Sequence, residues 1–315
     1  MYHFEILIAV AVLLVLVVGP LLLGLKGLHS ARRKPAGALA KAASTWDWKL
    51  TITSALLYAL SFNLTFFIQE LFLVLPKALT PGLRPILFHN NHRWEGQNPL
   101  ASLFQGTGAL AIFVSASFCA LLLKLRPPRS ASLRLFLIWM AYNGFLQSLP
   151  QVVVGSIEPE NDVGMAMGYL RLGGAAKMAA ALVALIAIAV VALSLRGPLL
   201  SLAGNPTTIG SVRTRTTFMF QVATVPALAA ILLIIPFRVP RNWVEVVAVP
   251  VVATVIGIAW IQAGSWTNEG EKASGTLSSK ASGTLSSKSI AYAFIALLIL
   301  LLVFQLILRP GVRFY

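Results

Sequence analysis

The residues best equipped for chemistry are few and grouped. Glu70 sits inside Phe66-Phe-Ile-Gln-Glu70-Leu-Phe-Leu-Val-Leu75, with apolar residues on both sides. A carboxyl in such a run is expensive to bury, so it marks either a site or an internal ion pair. Asn63, seven residues earlier, shares its helix face. Further on, Phe88-His89-Asn90-Asn91-His92-Arg93-Trp94-Glu95 spaces two histidines at i, i+3. On one turn of a helix, both imidazoles of His89 and His92 can reach one divalent metal such as zinc. Asp162 ends the acidic stretch Glu158-Pro159-Glu160-Asn161-Asp162. Asn143, Gln147 and Gln151 recur at i, i+4, i+8 as an amide stripe, and Gln105 opens a neighbouring apolar run. These amides are expected to line a polar cavity beside Glu70.

The chemistry that suits such a set is metal-assisted hydrolysis. His89, His92 and a carboxylate would hold the metal, an open position would carry a water made acidic by it, and Glu70 or Asp162 would move protons. Each part also has a plain structural explanation. Glu70 can pair with Arg171 or Lys177, the histidine segment can be a polar turn, and the amides can join helices. There is no HExxH, no GxSxG and no GxxxxGK[ST], and the single cysteine, Cys119, cannot form a CxxC or an internal disulfide.

The elements that must position these residues are membrane helices. Of the 315 residues, 57% are hydrophobic and only 11% charged, and mean hydropathy is +0.82. Apolar blocks of the roughly 20 residues needed for a bilayer crossing recur along the whole chain. They fall near 5–25, 50–76, 100–123, 133–154, 173–195, 217–237, 244–264 and 289–308. The expected fold is therefore all-α: one polytopic transmembrane helix bundle over 1–315, with about eight spans and both termini on the non-cytoplasmic side. Prolines and glycines interrupt the fourth to seventh blocks, so the count can shift by one. Met1-Tyr-His-Phe-Glu5 has no basic stretch before the first apolar run, which suits a retained helix rather than a cleaved signal.

A net charge of +15 raises the possibility of nucleic-acid binding, but its distribution argues for none. Sorting the connections by side puts 16 lysines and arginines on one face and seven on the other, which also carries most of the acids. Positive loops stay cytoplasmic, so the first face is inside and the cell membrane is the expected location. A basic inner face attracts anionic lipid headgroups, which accounts for the charge without a nucleic acid.

No soluble domain fits between the spans. Residues 26–49 read as a basic segment on the inner surface, with Trp46 and Trp48 at headgroup level. The 265–288 stretch contains Lys272-Ala-Ser-Gly-Thr-Leu-Ser-Ser279 repeated as 280–287, a composition that reads as a flexible inner linker. Pro226 and Pro250 break the sixth and seventh spans, which read as a tight antiparallel pair. Gly164-Met-Ala-Met-Gly168 and Ser102-Leu-Phe-Gln-Gly106 with Gly108 allow close helix approach. Three function classes suit this chain: a membrane-embedded metal-dependent hydrolase, a non-catalytic scaffold subunit with membrane-protein partners, and a small-solute or lipid carrier using Glu70 as a proton-coupled group.

Overall fold

The computed structural model describes residues 2–33, 46–204, 209–238, 243–267 and 285–315. Most of the expected linker, 268–284, and residues 34–45 of the expected surface segment lie outside the described residues, as do residues 239–242 between spans six and seven. The chain is a helical bundle, as its long apolar blocks require. The N-terminal helix comprises α1 (Tyr2–Leu13), a π-helical turn (Leu14–Val18) and α2 (Gly19–Arg33). After it come α3 (Trp48–Ala78), α4 (Leu100–Leu125), α5 (Ala131–Ile157), the short α6 (Asp162–Tyr169) and α7 (Gly174–Leu200). The next pass joins α8 (Val212–Met219), a π-helical turn (Phe220–Thr224) and α9 (Val225–Ile234), ahead of α10 (Trp243–Ser265). The last is α11 (Ser287–Val303), extended by a π-helical turn (Phe304–Leu308).

Seven helices among the described residues are long and apolar enough to cross a membrane, and α5 is not one of them. Yet α5, at 27 residues and so about 40 Å, is as long as its neighbours. Its hydropathy is low because it carries the amide stripe, and it can afford these polar groups because Trp139, Tyr142, Asn143 and most of its central residues are buried. A short sheet fixes the parity. Strand β1 (Arg84–Leu87), just after α3, pairs antiparallel with β2 (His92–Glu95) and with β3 (Val312–Arg313), just after α11. The ends of α3 and α11 therefore meet at one end of the bundle, so an even number of passes separates them. Counting α5 gives six, and with the N-terminal helix and α3 the described helices run along the bundle eight times.

Strands were not foreseen in the 79–99 connection, and this corrects the expectation of a helical turn there. Arg84-Pro-Ile-Leu87 and His92-Arg-Trp-Glu95 pair as a hairpin, with Phe88 donating its N–H to the Asn91 carbonyl at 2.8 Å. Gly82 and Gly96 close its base at φ +84° and +93°, where a β-carbon on Gly96 would strike the Gly82 carbonyl.

The centre of the bundle is α3 packed on α5. In its apolar window α3 is 72% buried, against 11% for the N-terminal helix, which lies at the periphery. The α3–α5 contact is parallel and polar at intervals. Trp139 Nε1 donates to Ser54 Oγ (3.0 Å), Asn143 Nδ2 to Ser61 Oγ (2.8 Å) and Gln151 Nε2 to Gln69 Oε1 (2.8 Å). Tyr58, Trp139 and Tyr142 pack ring against ring, and Tyr58 and Tyr142 both hydrogen-bond to Thr254 of α10. Small residues permit this density. A β-carbon at Gly144 would lie 2.6 Å from Ala116, and one at Gly257 would strike the Tyr142 ring.

Candidate functional site

The site forms where the hairpin folds back over the end of α3. Glu70 lies eight residues before Ala78 and so about 12 Å below the helix end. A loop in solvent could not reach it. The hairpin does, because its face bearing Leu87 and His89 is buried against the bundle and carries His92 down with it. His92 Nδ1 lies 2.9 Å from Glu70 Oε2, with 7% and 4% of the two side chains exposed. The other imidazole nitrogen, Nε2, lies 2.9 Å from Gln105 Oε1. Gln105 Oε1 also accepts from Lys77 Nζ at 2.7 Å, and Lys77 donates again to the Leu73 carbonyl at 2.9 Å. Trp94 closes the group from the hairpin side. Its ring stacks on His92 at 5.9 Å and lies 4.5 Å from the Lys77 ammonium.

Donor and acceptor counting constrains the protons. Lysine can only donate, so the atom of Gln105 facing Lys77 is its carbonyl oxygen. That oxygen can only accept from His92, so Nε2 carries a hydrogen. The opposite nitrogen faces a carboxyl oxygen, and a hydrogen bond there needs one proton between them. The pair is thus either imidazolium with carboxylate or neutral imidazole with carboxylic acid. In both states, one labile proton sits on the Glu70–His92 bond. Lys77 is fully buried, and the carboxylates of Glu70 and Asp162 lie close enough to act on its charge.

Helix α4 is held in place for this by its small residues. A β-carbon at Gly106 would lie 2.8 Å from Ala166 of α6, and one at Gly108 would lie 2.7 Å from Leu73 and 2.9 Å from the Gln69 carbonyl of α3. Gln105 therefore sits between two tight helix contacts.

The structure brings together Glu70, His92 and Gln105, with Asp162 nearby at the start of α6. His89 is elsewhere. It is buried at the tip of the hairpin with its ring 6.1 Å from Phe304 of the last helix, while both nitrogens of His92 are engaged on the α3–α4 side. The i, i+3 argument for a shared metal presupposed a helical turn, and the hairpin removes that premise. Among the described residues, no three His, Cys, Asp or Glu side chains are grouped to hold a metal ion.

The amides expected beside Glu70 form a seam instead. Asn63 is buried and bonds back to the Ala59 carbonyl of its own helix at 2.8 Å. Asn143 and Gln151 make the cross-helix bonds described above. Gln147 is 6% exposed, and neither atom of its amide has a hydrogen-bond partner among the described residues. The seam from Ser54 to Gln69 spans 15 residues of α3, about 22 Å of a hydrocarbon core of about 30 Å.

Lys77 and Trp94 were missed in the sequence. Pro76 suggests a helix end ahead of Lys77, but α3 continues through that proline to Ala78 and takes Lys77 with it. The available signal was the seven-residue spacing of Asn63, Glu70 and Lys77, which puts all three on one helix face. Trp94 gave no signal without the hairpin register.

Fold and site together define a multi-pass helical membrane protein with a buried, proton-sharing polar cluster at one end of its bundle. Comparison of the chain with protein-family models, with curated proteins and with solved structures finds no match.

Proposed function

We propose that the protein is a proton-linked carrier of a small polar solute, with the Glu70–His92 pair as its proton-exchanging group. The observation that carries this reading is the His92 ring held between a carboxyl and an amide oxygen, which obliges one proton to reside on the bond to Glu70. Ionisable groups at membrane depth that face the bundle interior mark ion paths and proton relays. The α3–α5 seam continues from this pair toward the middle of the bundle and includes a buried amide, Gln147, with no partner among the described residues. A polar group left open in this way is available to a passing solute or water. By the positive-inside argument, the hairpin end faces outward at the cell membrane, and the basic end lies at the cytoplasmic headgroups.

The scaffold reading is supported by a different feature of the same site. The cluster ties the hairpin to two helices, α3 and α4, as a purely structural latch would. The two readings separate on function in a sealed membrane. Protein reconstituted in liposomes on a solid support would be challenged with amino acids, sugars, organic acids and amines in turn. The carrier reading expects a charge transient with one of these classes, lost in Glu70→Gln and His92→Gln variants that remain folded. Wild-type protein that is folded yet silent to every class would favour the scaffold. The metal-dependent hydrolase reading loses its support with the separation of His89 from His92.

A further inference from the structure

We infer that the end of the bundle opposite the hairpin carries a binding site for the headgroup of an anionic phospholipid, in the groove between α2, α7 and α10. A cavity of about 310 Å³ opens there, lined by Leu23, Lys26, Ser30, Leu193, Arg196 and Thr267. This is within the size range of small-ligand pockets. Its residues change in character along the bundle axis. Leu23 and Leu193 form an apolar wall on the side toward the middle of the bundle. Lys26 and Arg196 follow at the level where α2 turns from apolar to basic, and Ser30 and Thr267 add hydroxyls beyond them.

Arg196 is held ready. Its Nη1 donates to the Gly264 carbonyl at 2.6 Å and to Thr267 Oγ1 at 3.1 Å, which fixes the guanidinium plane at the cavity wall. No carboxylate lies within ion-pairing distance of Arg196 or Lys26 among the described residues. Two cations at one cavity without a counter-ion among the described residues favour an anion, and a guanidinium suits phosphate oxygens by its fork of donors. A lipid, rather than a free anion, is indicated by what adjoins the site. Leu22 and Leu25 of α2 are each 60% exposed on the outer surface of the bundle, where acyl chains would pack. Basic pockets between membrane helices near the headgroups bind lipid phosphates in this way. Close packing at the site leaves little slack, since a β-carbon at Gly27 would lie 2.6 Å from the Trp266 side chain. The site is remote from the Glu70 cluster and independent of the carrier reading.

The test is native mass spectrometry of the purified full chain in detergent, with equal amounts of phosphatidylglycerol and phosphatidylcholine. Wild-type protein should retain phosphatidylglycerol preferentially. Lys26→Gln should cut that preference about fivefold, as expected for one cation at the headgroup level. Lys124→Gln removes the same charge from an exposed position elsewhere at this end of the bundle and should leave the preference intact. Arg196→Gln should act like Lys26→Gln. If its lost bonds to Gly264 and Thr267 unfold the protein, the Lys26 variant, whose side chain makes no bond among the described residues, decides alone. Equal retention of the two lipids by wild-type protein would overturn the site. So would an equal loss in the Lys124 variant, which would make the preference a property of the whole basic face. Displacement of the lipid by inorganic phosphate at matched concentration would reassign the pocket to a free anion and overturn the lipid assignment.

Discussion

Replacing Glu70 with leucine tests the buried cluster quantitatively. The carboxyl is the partner of His92 Nδ1 at 2.9 Å and one of the two negative groups acting on the fully buried Lys77. Leucine leaves the imidazole nitrogen without an acceptor and Lys77 with only Asp162. Removing one partner of a buried charged pair costs about 3–5 kcal/mol, and solvent screening is slight because both side chains are more than nine-tenths buried. At roughly 2 °C per kcal/mol for a chain of this size, the thermal midpoint in detergent should fall by roughly 6–10 °C. Glu70→Gln keeps the shape and can donate its amide to a neutral His92, so its loss should be smaller, about 1–2 kcal/mol. Midpoints followed by scanning fluorimetry, with helicity by circular dichroism as control, give both numbers. If Glu70→Leu melts within about 2 °C of wild type, the carboxyl is not in a buried pair with His92 and the cluster is misdescribed.

Other outcomes follow from the same geometry. Gln147→Leu removes an amide without a partner among the described residues, so stability should hold or rise by up to about 1–3 kcal/mol, while any solute-driven charge transient is lost. Gly108→Leu forces a side chain against Leu73 and the Gln69 carbonyl, and should cost about 1–3 kcal/mol by thermal melt. Gly168→Ala, with no described residue within 4 Å of the new carbon, should stay within about 0.5 kcal/mol of wild type. A cysteine at exposed Glu160 should react with an impermeant reagent on intact cells, and one at exposed Arg129 only after permeabilisation; the reverse pattern would invert the proposed orientation.

The bundle was legible because lipid imposes length and hydropathy on every span, and α5 was recovered by its pattern even though its amides lower its mean. The amide stripe pointed inward as expected, since a polar stripe has nowhere else to go in hydrocarbon. The structure sets Glu70 and His92 side by side, while the spacing argument that linked the two histidines held only in part. The dip of the 79–99 connection follows from its apolar residues and the depth of Glu70. The pairing of His92 with His89 did not follow, because spacing means different things in a helix and in a hairpin, and no Asn-Gly or Asp-Gly turn announced the strands. Arg171 and Lys177 were proposed as partners of Glu70 because they are cations near its level. Arg171 is exposed at the end of α6, and the buried cation proved to be Lys77, two turns along α3 itself. The third strand, Val312–Arg313, pairs across some 225 residues, and nothing local could have shown it.

The central claim is that the Glu70–His92 bond exchanges its proton with the solution at the hairpin end of the bundle. Infrared difference spectroscopy of protein in lipid, on a jump of pH, measures this directly. Wild-type protein should give a carboxyl-stretch band that tracks the pH and is missing in Glu70→Gln, with an imidazole signal that disappears in His92→Gln. A wild-type spectrum with no band assignable to Glu70 across the acid-to-neutral range would contradict the claim, leaving the cluster as a fixed structural latch.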